Sequence, residues 1–232
     1  MGRASAAQPD EAGILRARPA NRIDAGPQAS GVQALGLGRG DRDGLLYVPK
    51  SYSRAKAAPV LVLLHGAGGR ATDIVGPFVE TSDARGYLML APDSRGRTWD
   101  VILGGYGPDI AFIDQALGWT FERFSVEPKR IATGGFSDGA SYALSIGLTN
   151  GDLFSDILAF SPGFAAATRQ VGSPRIFISH GVHDAVLPID ACSRRLAPVL
   201  RRGGYDLDYR EFDGGHTVPP EMVTGAVARF LN

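Results

Sequence analysis

The most regular signal in the chain is a series of short apolar runs, each followed by a longer stretch with helical spacing. Residues 59–64 (Pro-Val-Leu-Val-Leu-Leu) form a continuous run of branched apolar side chains, the mark of a strand buried on both faces of a sheet. Gly44–Val48 is a shorter run of the same kind, closed by Pro49. The pattern predicts further strands at Tyr87–Ala91, Arg130–Phe136, Ile157–Ser161, Arg175–His180 and Tyr205–Phe212. Between them it predicts a helix over Asp73–Arg85 that stops at Gly86, and one over Asp109–Phe124 with Asp109 as its cap. Asp138–Leu148, Ile189–Arg202 and Pro219–Leu231 complete the helices. Strands alternating with helices of this length imply one α/β domain, with a mainly parallel sheet and helices on both faces. In such sheets reactive groups belong just beyond the carboxyl ends of the strands. Residues 1–30, rich in Ala, Arg, Gly and Pro with no sustained apolar period, read as a loosely ordered leader to a domain at 31–232.

Composition narrows the class. Apolar residues make up 44% of the chain, too many for a disordered protein. Lys plus Arg equals Asp plus Glu at 24 each, so there is no electrostatic footprint for nucleic acid or an anionic membrane surface. No apolar run is long enough to span a bilayer. Cys192 is the one cysteine; it has no partner for a disulfide, a metal knuckle or a redox pair, and no metal is expected. It reads as a small buried side chain on a helix. The first residues lack the basic and apolar regions of a secretory signal, which makes the cytoplasm the expected location.

Gly135-Phe136-Ser137-Asp138-Gly139 fits Gly-x-Ser-x-Gly between a predicted strand and a predicted helix. That context lifts the serine hydroxyl clear of the sheet near a helix N-terminus, where developing negative charge is favoured. A serine is a weak nucleophile without a base. Of the four histidines, His216 follows the last strand in Gly214-Gly215-His216 and is the candidate base, whereas His180 closes a strand and reads as structural. Asp184, directly after the strand Arg175–His180, lies between Ser137 and His216 in sequence and is the candidate for orienting the imidazole. Asp190 and Asp213 are rivals, the first explained as a helix cap and the second as a turn former. His183 reads as a surface residue. Acyl transfer also needs two N–H donors at the developing oxyanion. The Asp138 amide and, in His65-Gly66-Ala67-Gly68-Gly69, the Ala67 amide are the candidates, with Gly66 or Gly68 as rivals for the second.

The segments at 61–69 (LVLLHGAGG), 91–96 (APDSRG), 131–141 (IATGGFSDGAS), 178–189 (ISHGVHDAVLPI) and 214–221 (GGHTVPPE) resemble the α/β-hydrolase superfamily. Within it the chain is similar to the carboxylesterase/phospholipase group that includes acyl-protein thioesterases, and more faintly to polyhydroxybutyrate-depolymerase-like esterases. The resemblance implies an esterase with no cofactor, acting on small-molecule or lipid esters of short to medium chain length. It also implies an oxyanion N–H at Ala67 and a structural role for His65. A thioesterase or lysophospholipase using the same site is the alternative, and a non-catalytic binding member of the fold the remote one. The group often carries Gln or Ala where this chain has Asp138, a carboxylate that would disfavour acidic substrates. The short link 162–174 leaves no room for a helical cap, so an open cleft without interfacial activation is expected. Gly66 and, from the loop at 95–108, Trp99, Ile102 and Tyr106 are candidate substrate contacts.

Overall fold

The computed structural model describes residues 13–19, 29–38 and 40–232. Its strands are β1 (Gly31–Ala34), β2 (Gly44–Val48), β3 (Ala58–Leu64), β4 (Leu88–Pro92), β5 (Val126–Phe136), β6 (Asp156–Phe160), β7 (Arg175–Gly181) and β8 (Leu207–Phe212). Its helices are α1 (Ala71–Val75), α2 (Val79–Arg85), α3 (Pro108–Arg123), α4 (Asp138–Thr149), α5 (Ser193–Arg202) and α6 (Pro220–Leu231). The strands form one eight-stranded sheet in the order β1-β2-β4-β3-β5-β6-β7-β8. β1 and β2 are antiparallel additions at one edge, and β3 to β8 run parallel.

Strand side chains alternate between two apolar layers. On one face Val60, Val62 and Leu64 pack with Phe112, Ile113 and Leu117 of α3 and Tyr142 and Ile146 of α4. On the other, Leu61, Leu63, Leu158, Phe160 and Phe177 pack with α1 and with Val223, Val227 and Phe230 of α6. A third cluster joins Ile157, Ala159, Ile176 and Ile178 to α4 and α5. Every residue of α4 after Asp138 is buried, which fixes the helix that follows the predicted nucleophile.

The departures from the predicted elements have local causes. The helix expected over Asp73–Arg85 is split by a 3₁₀ turn at Gly76–Phe78, where Pro77 supplies no N–H to a continuous helix. It does end at Gly86, in a left-handed conformation (φ 74°). Asp109 does not cap α3: Gly107 precedes the helix, and Asp109 is buried in its first turn. β5 starts at Val126, and its register against β3 shifts between Val126 and Ile131, around Pro128. The helix expected from Ile189 begins at Ser193, after a turn. β1, an edge strand with alternating burial, was not predicted.

Most of the expected leader lies outside the described residues. Residues 13–19, however, are tied down rather than loosely attached. Leu15 is buried; its N–H donates to Asn150 Oδ1 (2.8 Å), and the Asn150 amide donates to Gly13 O (2.8 Å). The N–H groups of Arg16 and Ala17 both donate to Asp114 on α3.

Candidate active site

Ser137 sits at the turn from β5 into α4 with φ 58°, a conformation costly for any residue with a Cβ and typical of functional turns. The flanking glycines explain how the turn is possible. A Cβ on Gly139 would lie 2.1 Å from Leu64 O, and one on Gly135 would lie 2.6 Å from both Leu64 O and Gly139 O. β3, β5 and α4 therefore meet with no room for a methyl group. Ser137 is 7% exposed and stands at the N-terminus of α4, whose first N–H groups have no helical acceptor.

His216 occupies the turn between β8 and α6. Its loop is stitched to the loop after β7 by two backbone bonds, Val182 N–H to Phe212 O and His183 N–H to Gly214 O (2.9 Å each). A Cβ on Gly181 would strike the Gly214 and Gly215 carbonyls at 2.3 Å, so this close approach requires glycine. The Phe136 ring lies against the imidazole at a centroid distance of 4.5 Å. His216 Nδ1–H donates to Asp184 Oδ2 (2.6 Å), because a carboxylate only accepts, and this leaves the Nε2 lone pair facing the Ser137 hydroxyl at 2.9 Å. Asp184 Oδ1 takes the N–H groups of Val186 (2.9 Å) and Leu187 (2.8 Å). Burial works against its ionisation, but the bonds from His216, Leu187 and Val186 outweigh it and hold the carboxyl below its ordinary range.

The rival acids lie elsewhere. Asp190 pairs with Arg194 at 2.9 Å on the surface, and Asp213 is exposed, with the exposed His183 at 3.0 Å. Cys192 is buried just before α5. His180 is buried at the end of β7.

The loop after β3 faces Ser137. A Cβ on Gly66 would be in ordinary contact, 3.5 Å, with Ser137 Cβ. Ala67 is exposed, and its N–H and that of Asp138 make no hydrogen bond among the described residues. The loop is held from beneath. His65 is buried, with Nδ1–H donating to Gly66 O (2.7 Å) and Nε2 accepting from the Ser94 N–H (3.0 Å). Burial pushes its pKa down, and with both nitrogens occupied the ring is a structural brace. Arg42 donates to Gly69 O (2.9 Å), and Gly68 N–H to Arg97 O (2.8 Å). The Asp138 carboxylate accepts from Thr98 Oγ1 at 2.6 Å.

Trp99 does not line the cleft. It is 0% exposed, donates Nε1–H to His65 O (2.8 Å) and stacks on Tyr142 at 5.1 Å. Its indole supports the loop that carries Ala67 instead of meeting a ligand. Ile102 and Tyr106 are partly buried against the same core; the Tyr106 hydroxyl donates to Ala166 O (3.0 Å) and its ring lies 5.8 Å from that of Tyr142. Asp109 has a different role from the one expected. It accepts the N–H groups of Arg95 and of Asp100 (2.7 Å), and Asp100 in turn accepts the Tyr142 hydroxyl (3.0 Å). This buried latch shapes the loop bearing Thr98 and Trp99. No spacing rule in the sequence announced it, or Arg42.

A cavity of about 330 Å³ lies at the opposite end of the sheet, lined by Ser51–Ser53, Lys56–Pro59, Arg85, Glu127 and Arg130. It is at the amino ends of β3 and β5, a sheet's length from Ser137. Among the described residues no cluster of His, Cys, Asp and Glu is arranged to hold a metal ion, and no helix is long and apolar enough to cross a membrane.

The fold, a mainly parallel sheet carrying a strained serine turn at the carboxyl end of a central strand, is that of the α/β-hydrolases. A profile of the phospholipase/carboxylesterase family matches residues 110–232, and the chain belongs to that family. It is similar to acyl-protein thioesterase 1 of Gibberella zeae, 32% identical over 110 residues that cover 42% of this chain and 46% of that protein. It is also similar to an acetylxylan esterase of Coprinopsis cinerea, 26% identical over 147 residues, 59% of this chain and 38% of the other. The chain thus spans less than half the length of these curated relatives. Among solved structures, esterase PE8 superposes with a TM-score of 0.64 at 23% identity, over 79% of this chain and 97% of that one.

Proposed function

We propose that the protein is a serine carboxylesterase in which Ser137 is the nucleophile, His216 the general base and Asp184 the group that orients it. The observation that carries this is the unbroken line from Ser137 Oγ through the imidazole to Asp184 Oδ2, at 2.9 and 2.6 Å. His216 takes the hydroxyl proton on Nε2 as Ser137 Oγ attacks the acyl carbon. The tetrahedral oxyanion is received by the N–H of Ala67, in the loop after β3, and that of Asp138, at the N-terminus of α4. His216 then passes its proton to the leaving alcohol oxygen, leaving an acyl group on Ser137. A water, deprotonated by the same imidazole, attacks that acyl carbon; the acyl–Oγ bond breaks, the imidazole returns the proton to Ser137 Oγ, and the acid is freed. The family membership and the esterases among its relatives support this class of reaction.

The same steps open a thioester, and the likeness to an acyl-protein thioesterase favours testing one. Wild type and Ser137→Ala are to be compared on p-nitrophenyl acetate, butyrate, octanoate and palmitate and on the matching acyl thioesters, with a fluorophosphonate label located by mass spectrometry. Loss of at least about 10³-fold in kcat for the variant, with the label on Ser137, is expected. An unlabelled Ser137 and no turnover of any ester or thioester would refute the reading.

A further inference from the structure

The buried imidazole of His180 is left over by the chemistry above, yet it points at the same carboxylate. Its Nε2 lies 2.8 Å from Leu187 O and 3.2 Å from Asp184 Oδ2, the oxygen that also accepts from His216. Its Nδ1 lies 2.7 Å from Ser193 Oγ at the start of α5. A carbonyl and a carboxylate only accept, so the proton sits on Nε2, and Nδ1 accepts from the Ser193 hydroxyl. We infer that His180 is a positioning residue of the site, a neutral donor that fixes Asp184 and the Leu187 turn in place without cancelling the negative charge that His216 uses. This rests on the assignment of Asp184 as the orienting acid.

Two features make the neutral form fit. Burial pushes the His180 pKa down, the attraction of Asp184 notwithstanding. A cation at this point would compete with the His216 imidazolium for one oxygen, whereas a neutral N–H takes up a lone pair and leaves the charge in place. Asp184 then has three hydrogen-bond donors, two amides on Oδ1 and His216 on Oδ2, with the His180 Nε2–H beside Oδ2 at 3.2 Å, so its plane and its reach to His216 are set from both sides. The same Nε2–H ties down Leu187 O, closing the turn 184–187. Without it Oδ2 is held by His216 alone and the turn 184–187 loses its tie at Leu187 O, and a displacement of the order of an ångström at a general base costs about 10²-fold in rate.

The test uses His180→Phe, which keeps a ring and removes the donor, His180→Gln, whose terminal amide puts an N–H near Nε2, and Ser193→Ala, which removes the hydroxyl that holds Nδ1 and lets the ring turn off Leu187 and Asp184. Circular dichroism and melting confirm folding. On p-nitrophenyl butyrate, His180→Phe is expected to lose about 10- to 100-fold in kcat with KM changed less than about threefold, and His180→Gln to recover most of that loss. The low-field NMR resonance of the His216 Nδ1 proton reads the Asp184 contact without turnover. It should move or broaden in His180→Phe and Ser193→Ala and stay near its wild-type position in His180→Gln. If His180→Phe does not fold, Ser193→Ala decides by the same resonance. Unchanged kcat and resonance in the folded variants would overturn the inference, as would a glutamine variant no better than phenylalanine. Should wild type hydrolyse nothing, the esterase reading falls while the resonance still decides the role of His180.

Discussion

Replacing Asp184 by Asn probes the site most sharply, because the side chain keeps its shape and exchanges one acceptor for a donor. Oδ1 faces two backbone N–H groups, and Oδ2 faces His216 and His180. An asparagine that keeps its oxygen under the Val186 and Leu187 amides turns its NH₂ toward His216 Nδ1. The imidazole must then put its proton on Nε2, where it can no longer accept from Ser137. The opposite orientation restores the tautomer but sets the NH₂ against two amide donors. Leaving buried donors unpaired costs about 1–3 kcal/mol each, and a charge-assisted bond to the imidazolium worth about 1.5–3 kcal/mol is lost in either orientation. Even the lower ends of these ranges amount to a few hundred-fold in rate, at about 1.4 kcal/mol per tenfold. The carboxylate-to-amide change in serine-hydrolase triads generally costs about 10⁴ in kcat, and a loss of about 10³- to 10⁴-fold is expected here. KM for p-nitrophenyl butyrate should stay within a few-fold, because Asp184 is buried behind His216. Asp190→Asn and Asp213→Asn, changed on the surface, should retain wild-type kcat. A folded Asp184→Asn enzyme within tenfold of wild type would refute the assignment.

Other expectations follow from single contacts. Gly139→Ala puts a methyl group 2.1 Å from Leu64 O and should cost more than about 4 kcal/mol, whereas Gly118→Ala, in open space inside α3, should stabilise by about 0.5–1 kcal/mol; urea midpoints in the reverse order would show the packing at the serine turn to be misread. Asp138→Asn keeps the backbone N–H and removes a carboxylate next to Ser137; kcat/KM for an anionic p-nitrophenyl hemisuccinate should rise about fivefold relative to the acetate, as removal of about 1 kcal/mol of repulsion between partly solvated charges requires. An unchanged ratio would place the carboxylate too far from the substrate to matter. Glu211 is hydrogen-bonded to Arg194, which holds its pKa down at about 2. A depressed carboxyl pKa stabilises the fold above the unfolded value and loses that contribution as pH falls toward the folded one. The melting-temperature gap between wild type and Glu211→Gln should therefore be widest above about pH 5 and close on acidification toward pH 2. A gap that widens in acid would contradict this.

The parts of the molecule readable from the sequence are those set by local pattern. The run at 59–64 is apolar at every position because β3 is covered on both faces, and the Gly-x-Ser-x-Gly turn is constrained by the contact of Gly135 and Gly139 with the end of β3. β1 was missed because only half of its four residues face inward on an edge. Trp99 was misjudged for a different reason. Its position in a long loop suggests a cleft wall, and only the packing of β3, α4 and the loop itself encloses it between His65 and Tyr142. Asp109 fits a helix cap by sequence, yet Gly107 and Pro108 start the helix and turn that carboxylate inward to latch Arg95 and Asp100.

The histidines show why a site can be legible in outline while its supports are not. A base needs a lone pair aimed at the nucleophile, a second nitrogen fixed by an acceptor and some access to water. His65 fails the first condition because Ser94 N–H occupies its Nε2. His180 has an acceptor on one nitrogen and a hydroxyl on the other, but it is fully buried and Ser193 fills its lone pair. His183 has the solvent and lacks the nucleophile. His216 meets all three, with its side chain 15% exposed. Sequence position alone separates His216 from the others, since only it follows the last strand in a glycine-rich loop. What the remaining buried pair does depends on partners outside the local motif, Arg42 and Ser94 at 23 and 29 residues from His65, and Leu187 and Ser193 at 7 and 13 residues from His180. The His65 contacts exist only once β3 and β4 are side by side, and those of His180 only once the segment after β7 folds back over that strand's end, so a histidine that holds an acid and a histidine that fills a core look alike until the fold is assembled.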